Sequence, residues 1–470
     1  VDGAWSFPVT AIKATFSAAL LIASAVCAGT PTACSATKTD DAPAPKLGRE
    51  ALQDPQTCGT CHPDHLREWS GSMHAYAGVD PLFLALNKRM QRETSGALGA
   101  FCVQCHAPVA VRAGLTKDGL NLAELEPKLL GVTCYFCHNA DFFGGDLHNN
   151  PLVVTNDGVM RGGFQNPVPN TAHEASYSRS IDHTNDSSAI FCGSCHDIVN
   201  PQAATIERTF SEWRNSHVAL EDRKNCGGCH MDERTGLAAQ APGVLVRKVH
   251  DHSMPGVDLA LTQFPQMDAQ KAGVQKILDD AISAKLCVTA SADAGVRIEV
   301  TLRSEKVGHS FPSGSAQDRR AWVDLVAMRG AVVAFSSGQV PDRMAVAAAA
   351  DAQIMLLRDY DYDANGKETP LFWQTVKFKS FQLPVAASSK APDSQRSLVH
   401  VYTFPGTLPD AVNMRVKMRP VDFDLIDELV KSGDLDAAVA ERVPTITLAS
   451  TALSWAAGTD CVATTLKPGP

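Results

Sequence analysis

Basic charge is in short supply in this 470-residue chain: Lys and Arg total 42 against 51 Asp and Glu, a formal net charge of −9. A nucleic-acid binder needs a basic footprint to displace counterions, so that class is excluded. Long apolar runs are also scarce. Residues 14 to 28 (ATFSAALLIASAVCA) form one short run, and no stretch reaches the ~18 apolar residues of a membrane span, which excludes a polytopic membrane protein. Aromatics are only 6% of residues, and fourteen cysteines are too few for a disulfide-dense scaffold. Histidine nearly vanishes from the second half, where only His309 and His400 follow His252. With 44% hydrophobic residues the chain is not disordered, and its length suggests two to four domains.

The run at 14 to 28, with Lys13 ahead of it, suits the h-region of a signal peptide. Val26-Cys27-Ala28 offers a small-residue cleavage site. Cys34 after Pro31-Thr32-Ala33 is the alternative as a lipid-bearing cysteine, and a retained anchor is a third outcome. Residues 1–35 are read as this leader and 36–50 as a linker. The expectation is export, to the periplasm or outer cell surface, with a lipid anchor as the membrane-associated variant.

What the chain does have is one motif five times: CGTCH (Cys58, Cys61, His62), CVQCH (Cys102, Cys105, His106), CYFCH (Cys134, Cys137, His138), CGSCH (Cys192, Cys195, His196) and CGGCH (Cys226, Cys229, His230). This composition would give roughly 0.01 such matches by chance. Two thiols at this spacing add to the two vinyl groups of one haem, and the next His becomes the proximal iron ligand. Zinc ribbons use C-x-x-C pairs two at a time, so five would leave one over, and zinc requires no His after every second Cys. The cofactor expectation is five covalent haem c groups.

Cys58 to His230 spans 173 residues, about 35 per haem, too few for a separate core around each cofactor because domains below ~40 residues rarely fold alone. The haems must therefore share one core over residues 51–262 and pack closely. Between the motifs the pattern is helical and loop-rich. Asp80 caps a helix through PLFLALNKRMQR, Asn121 to Leu130 reads as another helix, and 141 to 190 reads as a long loop.

Ten histidines remain as candidates for the sixth ligands. His74 (EWSGSMHAY) and His217 (EWRNSH) share a weak internal echo, with Trp69 and Trp213 available to pack on porphyrin faces. His173 lies in the irregular segment, with His183 and His148 as rivals. His250 and His252 face one side of an extended segment, and His252 is preferred. His309 stands alone in VGHSFPSG. His65 is read as touching a propionate or solvent, and His400 as structural. Met73 and Met254 are the alternatives that would raise a potential.

These pieces, namely CGTCH followed by EWSGSMHA, CVQCHAP, GVTCYFCH, HEASYS before FCGSCHD, and CGGCHM, resemble multihaem cytochromes with a cytochrome c-554-like haem domain, kin of hydroxylamine oxidoreductase and pentahaem nitrite reductase. The resemblance covers roughly residues 55 to 256. It implies bis-His haems, with His74 and His217 as distal ligands, in closely stacked pairs. VHDHSMPGVDLAL and VGHSFPSGSAQDRRAWVDL resemble segments of larger multihaem proteins that append a β domain. All five motifs end in His, whereas the nitrite-reductase branch places Lys at one haem, and no Tyr cross-link motif is found. Both facts count against those two activities.

A connecting helix is expected over 263–286, its periodic core Gln266 to Leu286 carrying Val274, Ile277, Leu278 and Ile282 as an apolar stripe. Beyond it the period becomes two. VRIEVTL, AWVDLVA, WQTVKFKSF, SLVHVYTF and VNMRVKM read as strands, so 287–465 is expected to be an antiparallel β-sandwich. Cys287 and Cys461, near its two ends, are a disulfide candidate in an oxidising compartment. Asp361 to Gly366 has calcium-loop spacing but Phe372 where a bidentate Glu is needed, so a hairpin turn is the reading.

The leading functional expectation is an electron carrier between redox partner proteins, either other cytochromes or a membrane quinone-linked complex, including transfer to the cell exterior. The alternatives are an oxidoreductase with one open-site haem acting on a small nitrogen or sulfur compound, and a haem-bearing assembly or filament subunit. Whether the chain is an enzyme is left open, and no catalytic residue is assigned. The acidic surface, with about ten haem propionates, favours cationic patches on partners, with salt weakening the attraction.

Overall fold

The computed structural model describes residues 46–141, 147–291, 293 and 295–465. The leader at 1–35 and most of the linker at 36–50 lie outside the described residues. No described helix is long and apolar enough to cross a membrane.

The amino-terminal part is built from short helices joined by turns. The longest before residue 200 is Pro81–Glu93, started by Asp80, whose side chain accepts from Leu82 N at 3.0 Å, with Pro81 at its first position. It buries Phe83, Ala85, Asn87, Met90 and Gln91. Phe83 joins Leu52, Val103, Leu122, Tyr135 and Phe136 in one core cluster. Two expectations need correction here. Asn121 to Leu130 is not one helix but two 3-10 turns, Leu122–Glu124 and Pro127–Leu129, because Pro127 cannot continue the hydrogen-bond ladder of the first. The 141–190 stretch is not a plain loop: Val159–Gly162 pairs in parallel with Glu174–Tyr177, and Val153–Val154 pairs with Ala140–Asp141.

The connecting helix is Met267–Ala281, shorter than expected, with Val274 and Leu278 buried. Ile282 does not extend the helical stripe but opens the strand Ile282–Ser291, which pairs along its length with Gly295–Ser304. The alternating burial of Ile282, Ala284 and Leu286 outcompetes the helical period there.

Two antiparallel sheets follow. One has the order Ser397–Phe404, Gly295–Ser304, Ile282–Ser291, Val462–Ala463. The other runs Val332–Ser337, Arg320–Arg329, Ala411–Arg419, Ile446–Ala456, with Leu356–Leu357 also paired to Arg320–Arg329. Ile298, Val300, Leu302 and Tyr402 of the first sheet and Val323, Leu325, Val416 and Leu448 of the second belong to the same core cluster. Of WQTVKFKSF only Lys377–Ser380 is strand, and Phe372–Gln374 is a 3-10 turn. Asp361–Gly366 is a turn in which Asp363 accepts from the backbone of Asn365 and Lys367, and Gly366 takes φ +78°. Cys287 and Cys461 form a disulfide.

A third cluster ties the two parts together. Met90 of the Pro81–Glu93 helix and Leu261 pack with Phe423, Leu425, Ile426 and Leu429 of the helix Phe423–Lys431. Arg92 grips Asp434 with both guanidinium nitrogens at 2.5 and 2.7 Å, and Arg89 reaches Glu428 at 2.8 Å. The described residues accordingly form one compact unit.

Candidate functional site

Each motif is one turn of helix. The amide of the motif His bonds the carbonyl of the first Cys in four of them: His62 to Cys58 at 2.8 Å, His106 to Cys102 at 3.3 Å, His196 to Cys192 at 3.1 Å and His230 to Cys226 at 2.9 Å. The other motif begins the helix Cys134–Asn139, capped by Thr133. Residues three and four apart share a helix face, so both thiols and the imidazole are presented together.

The five turns open onto one connected cavity of about 2110 Å³, lined by all ten motif cysteines and all five motif histidines. Drug-sized ligands occupy roughly 300–1,000 Å³, so this space suits several macrocycles rather than one small molecule. Thiols of different motifs adjoin: Cys58 with Cys134, Cys105 with Cys195, and Cys192 with Cys226. Burial pushes the Cys102 and Cys137 thiols up to about 12. Where a thiol of another motif donates a hydrogen bond the shift reverses: Cys58 and Cys192 are lowered, and Cys195 falls to about 7.

Four pairs of imidazoles distant in sequence face each other across this space, and His65, three residues past His62, also lies 6.2 Å from the His62 ring. Ring centres are 6.4 Å apart for His62 and His173, 6.2 Å for His74 and His196, 6.3 Å for His138 and His252, and 6.4 Å for His230 and His309. A metal held between two imidazoles needs two bonds of about 2 Å plus roughly 1 Å from each nitrogen to its ring centre, or about 6 Å. The residues present therefore fit iron between paired imidazoles. Each pair joins one motif His to one non-motif His.

Hydrogen bonds at Nδ1 leave Nε2 bare for a metal. His62 donates to Ala238 O at 2.6 Å, His106 to Ala77 O at 3.1 Å, His230 to Pro255 O at 2.8 Å, and His138 to Arg161 O. Among the facing histidines, His173 donates to Glu174 O at 2.9 Å, His252 to His250 O at 2.9 Å and His309 to Ser310 O at 2.8 Å. A carbonyl can only accept, so these rings carry their proton on Nδ1. His74 instead turns Nδ1 to Met254 Sδ at 3.0 Å, and His196 turns it to Glu207 Oε1 at 3.4 Å.

Burial makes an imidazolium costly here. It lowers His62, His106, His138, His173 and His230, and takes His74 and His309 to about 4. Neutral imidazole is the form that binds metal. His196 departs from the rest: burial opposes its charge, but the hydrogen bond and charge of Glu207 outweigh that and raise it to about 9.

His106 has no such facing ring among the described residues, and the ring stacked on it, 4.0 Å between centres and 7° from parallel, is Phe83. Every His and Met of the chain lies among the described residues. His217 lines the cavity, with Nδ1 on Ala386 O at 3.0 Å, but pairs with no motif ring at this spacing. The sequence echo explains the difference from His74. Ser72 caps Met73–Tyr76 and Ser216 caps His217–Leu220, so His74 is the second residue of its helix and His217 the first. One position is about 100° of rotation. Trp69 and Trp213 both line the cavity, their ring N–H groups on Val132 O and Lys224 O.

Of the other histidines, His183 and His250 meet edge to face at 4.6 Å, and His65 lies 4.5 Å from His252. His65, Glu68 and His252 come within reach of a common ion, but Glu68 is already engaged by Arg234 at 3.0 Å and by the amide of His252 at 3.1 Å. His400 gives Nε2 to Gln353 O at 2.7 Å and lies away from the cavity, as does His148. Met73 Sδ accepts from Gln270 at 3.5 Å. Glu207 carries no signal in the sequence, since its surroundings, TIERTF, look like any strand end.

These motifs, their common cavity and the facing imidazoles define the class: a multihaem c-type cytochrome. Residues 57–139, which hold the first three motifs, match the family described as cytochrome c554 and c-prime. The fold is similar to that of a penta-heme cytochrome c552 from Thermochromatium tepidum, with a TM-score of 0.56 over 86% of this chain and 97% of that one, at 18% sequence identity. No curated protein matches the chain significantly.

Proposed function

We propose that the chain binds five haem c groups, one per motif, and carries electrons between redox partners outside the cytoplasmic membrane. The observation that carries this reading is the set of four imidazole pairs 6.2 to 6.4 Å apart, each joining a motif His to a distant His. Bound haem supplies a one-electron ferric/ferrous couple. The chain's residues do the rest. Ten thiols anchor the macrocycles. His62, His106, His138, His196 and His230 hold the proximal positions, and His173, His252, His74 and His309 oppose all of these but His106. The adjoining thiols place the first motif beside the third, and the fourth beside both the second and the fifth. Export is supported by the run at 14 to 28 and by the Cys287–Cys461 disulfide, a bond of oxidising compartments. The two carboxy-terminal sheets, sharing one core, support a sandwich that closes one side of the haem cavity.

Mass spectrometry of the exported, denatured polypeptide tests the reading. It should be heavier by five macrocycles and contain iron without zinc, and an unmodified mass would overturn it.

A second reading has an observation of its own. His106 stacks on Phe83 and faces no imidazole, which leaves one iron position for a small nitrogen or sulfur compound. Electron paramagnetic resonance of the oxidised protein should then show four low-spin haems and one high-spin haem that takes up a small ligand. Five low-spin haems with no ligand uptake would remove the enzymatic reading and leave the carrier.

A further inference from the structure

We propose that Glu207 gives the haem of the fourth motif the lowest reduction potential among the imidazole-paired haems, at the junction of the chain. This rests on the ligation proposed above for His196 and His74. The proximal histidines of the other four motifs give their Nδ1–H to backbone carbonyls, those of Ala238, Ala77, Arg161 and Pro255. Only His196 gives it to a carboxylate, at 3.4 Å. A carboxylate on the far nitrogen makes an imidazole a stronger electron donor. Its negative charge also favours ferric over ferrous iron.

The surroundings fix this contact. Ile198, two residues past His196, pairs with Glu207 across a short two-stranded sheet, so the carboxylate is anchored beside its own motif. Asp197 locks the next turn by accepting from the amides of Phe210 and Ser211 at 3.0 and 3.1 Å. Besides His196, Arg319 and His106 act on the Glu207 charge, and the Arg319 guanidinium is engaged with Asp258 at 2.7 Å. On the other face, His74 meets Met254 Sδ, a weak acceptor that adds no comparable charge.

The place matters because Cys195 adjoins Cys105, Cys192 adjoins Cys226, and Cys137 of the third motif lies within electrostatic reach of both. A low potential there makes the junction an uphill step between the arm of the first and third motifs and the arms of the second and fifth. Reduction adds one electron to iron, supplied by a redox partner through a neighbouring haem. No bond forms or breaks, and the Nδ1 proton stays between His196 and Glu207.

The test is a redox titration followed by electron paramagnetic resonance on the mature wild-type, Glu207→Gln and Glu207→Asp proteins. Glu207→Gln, which keeps an acceptor but not the charge, should raise one midpoint, a tenfold change in the ferric/ferrous ratio reading as about 59 mV for one electron. The component that moves most should be the lowest of the wild-type low-spin set and the one whose g values change, with a smaller shift at the second-motif haem, whose His106 also feels the Glu207 charge. Glu207→Asp, which keeps the charge, should move the same component less, and it carries the test if the Gln variant does not mature. Unshifted midpoints, or a largest shift in a component that is not the lowest, would overturn the proposal. Wild-type protein lacking any bis-imidazole signal would instead overturn the ligation reading beneath it.

Discussion

His230 and His309 hold their imidazoles 6.4 Å apart and 12° from parallel, although one ends the last motif and the other lies between strands of the carboxy-terminal sheets. The loop between the sheets thereby lines the same cavity as the five motifs. His309 reaches the cavity from the loop after Gly295–Ser304. Gly308 beside it lies close against Trp213 and Val218, so that a Cβ at this position would sit only 3.2 and 3.3 Å from their side chains.

Replacing His309 by Ala should convert one low-spin haem to high-spin. The count of high-spin haems, read by electron paramagnetic resonance or the optical spectrum of the oxidised protein, should rise by one while the haem mass is unchanged. An unaltered count would mean that another side chain holds that position.

Phe83 is 5% exposed and stacks on His106. Phe83→Ala removes a buried ring and should destabilise by about 3 kcal/mol or more, seen as a lower midpoint in denaturant. The ring also packs on the face of a proposed ligand, so the spectrum of the second-motif haem should change with it.

The Cys287–Cys461 bond closes a loop with a sequence separation of 174 residues. On loop-closure entropy alone it should stabilise by about 5 kcal/mol. The double Cys→Ser variant should melt lower than wild type and, unlike wild type, be insensitive to added reductant. Haem content should be the same in both.

Asp318 is wholly buried, and burial raises its carboxyl from 3.8 to about 8, against a partial offset from Arg320. The folded protein therefore keeps a proton there that the unfolded chain releases above about pH 4. Where the folded state binds more protons, stability falls as pH rises, so this group should cost stability progressively between about pH 4 and pH 8 and no further above that. Asp318→Asn should flatten that part of the curve in urea titrations between pH 5 and 8. An unchanged slope would assign the pH dependence to other groups, such as Asp361, which burial raises to about 6.

What is legible in the sequence is whatever one turn of backbone contains. Cys-x-x-Cys-His is complete within five residues, so its chemistry is visible without tertiary structure. Period-two alternation marks Gly295–Ser304 and Ala411–Arg419 because each strand has one face in the core. At Ile282 two periods compete, and the helix boundary cannot be read there because pairing with the neighbouring strand decides it. Asn121 to Leu130 has the composition of a helix, yet the single ring of Pro127 divides it into two turns.

The amino-acid order by itself determined the cofactor class, the number of Cys-x-x-Cys-His motifs and the strand-rich character of the last third, because each depends on covalent spacing or short-range periodicity. Which imidazole faces which motif, why His74 meets His196 while His217 turns to Ala386, and why a carboxylate rather than a carbonyl sits behind His196 were decided only by the tertiary structure. Those partners lie far apart along the chain, and a single-residue offset from a helix cap is enough to swing a ring out of line.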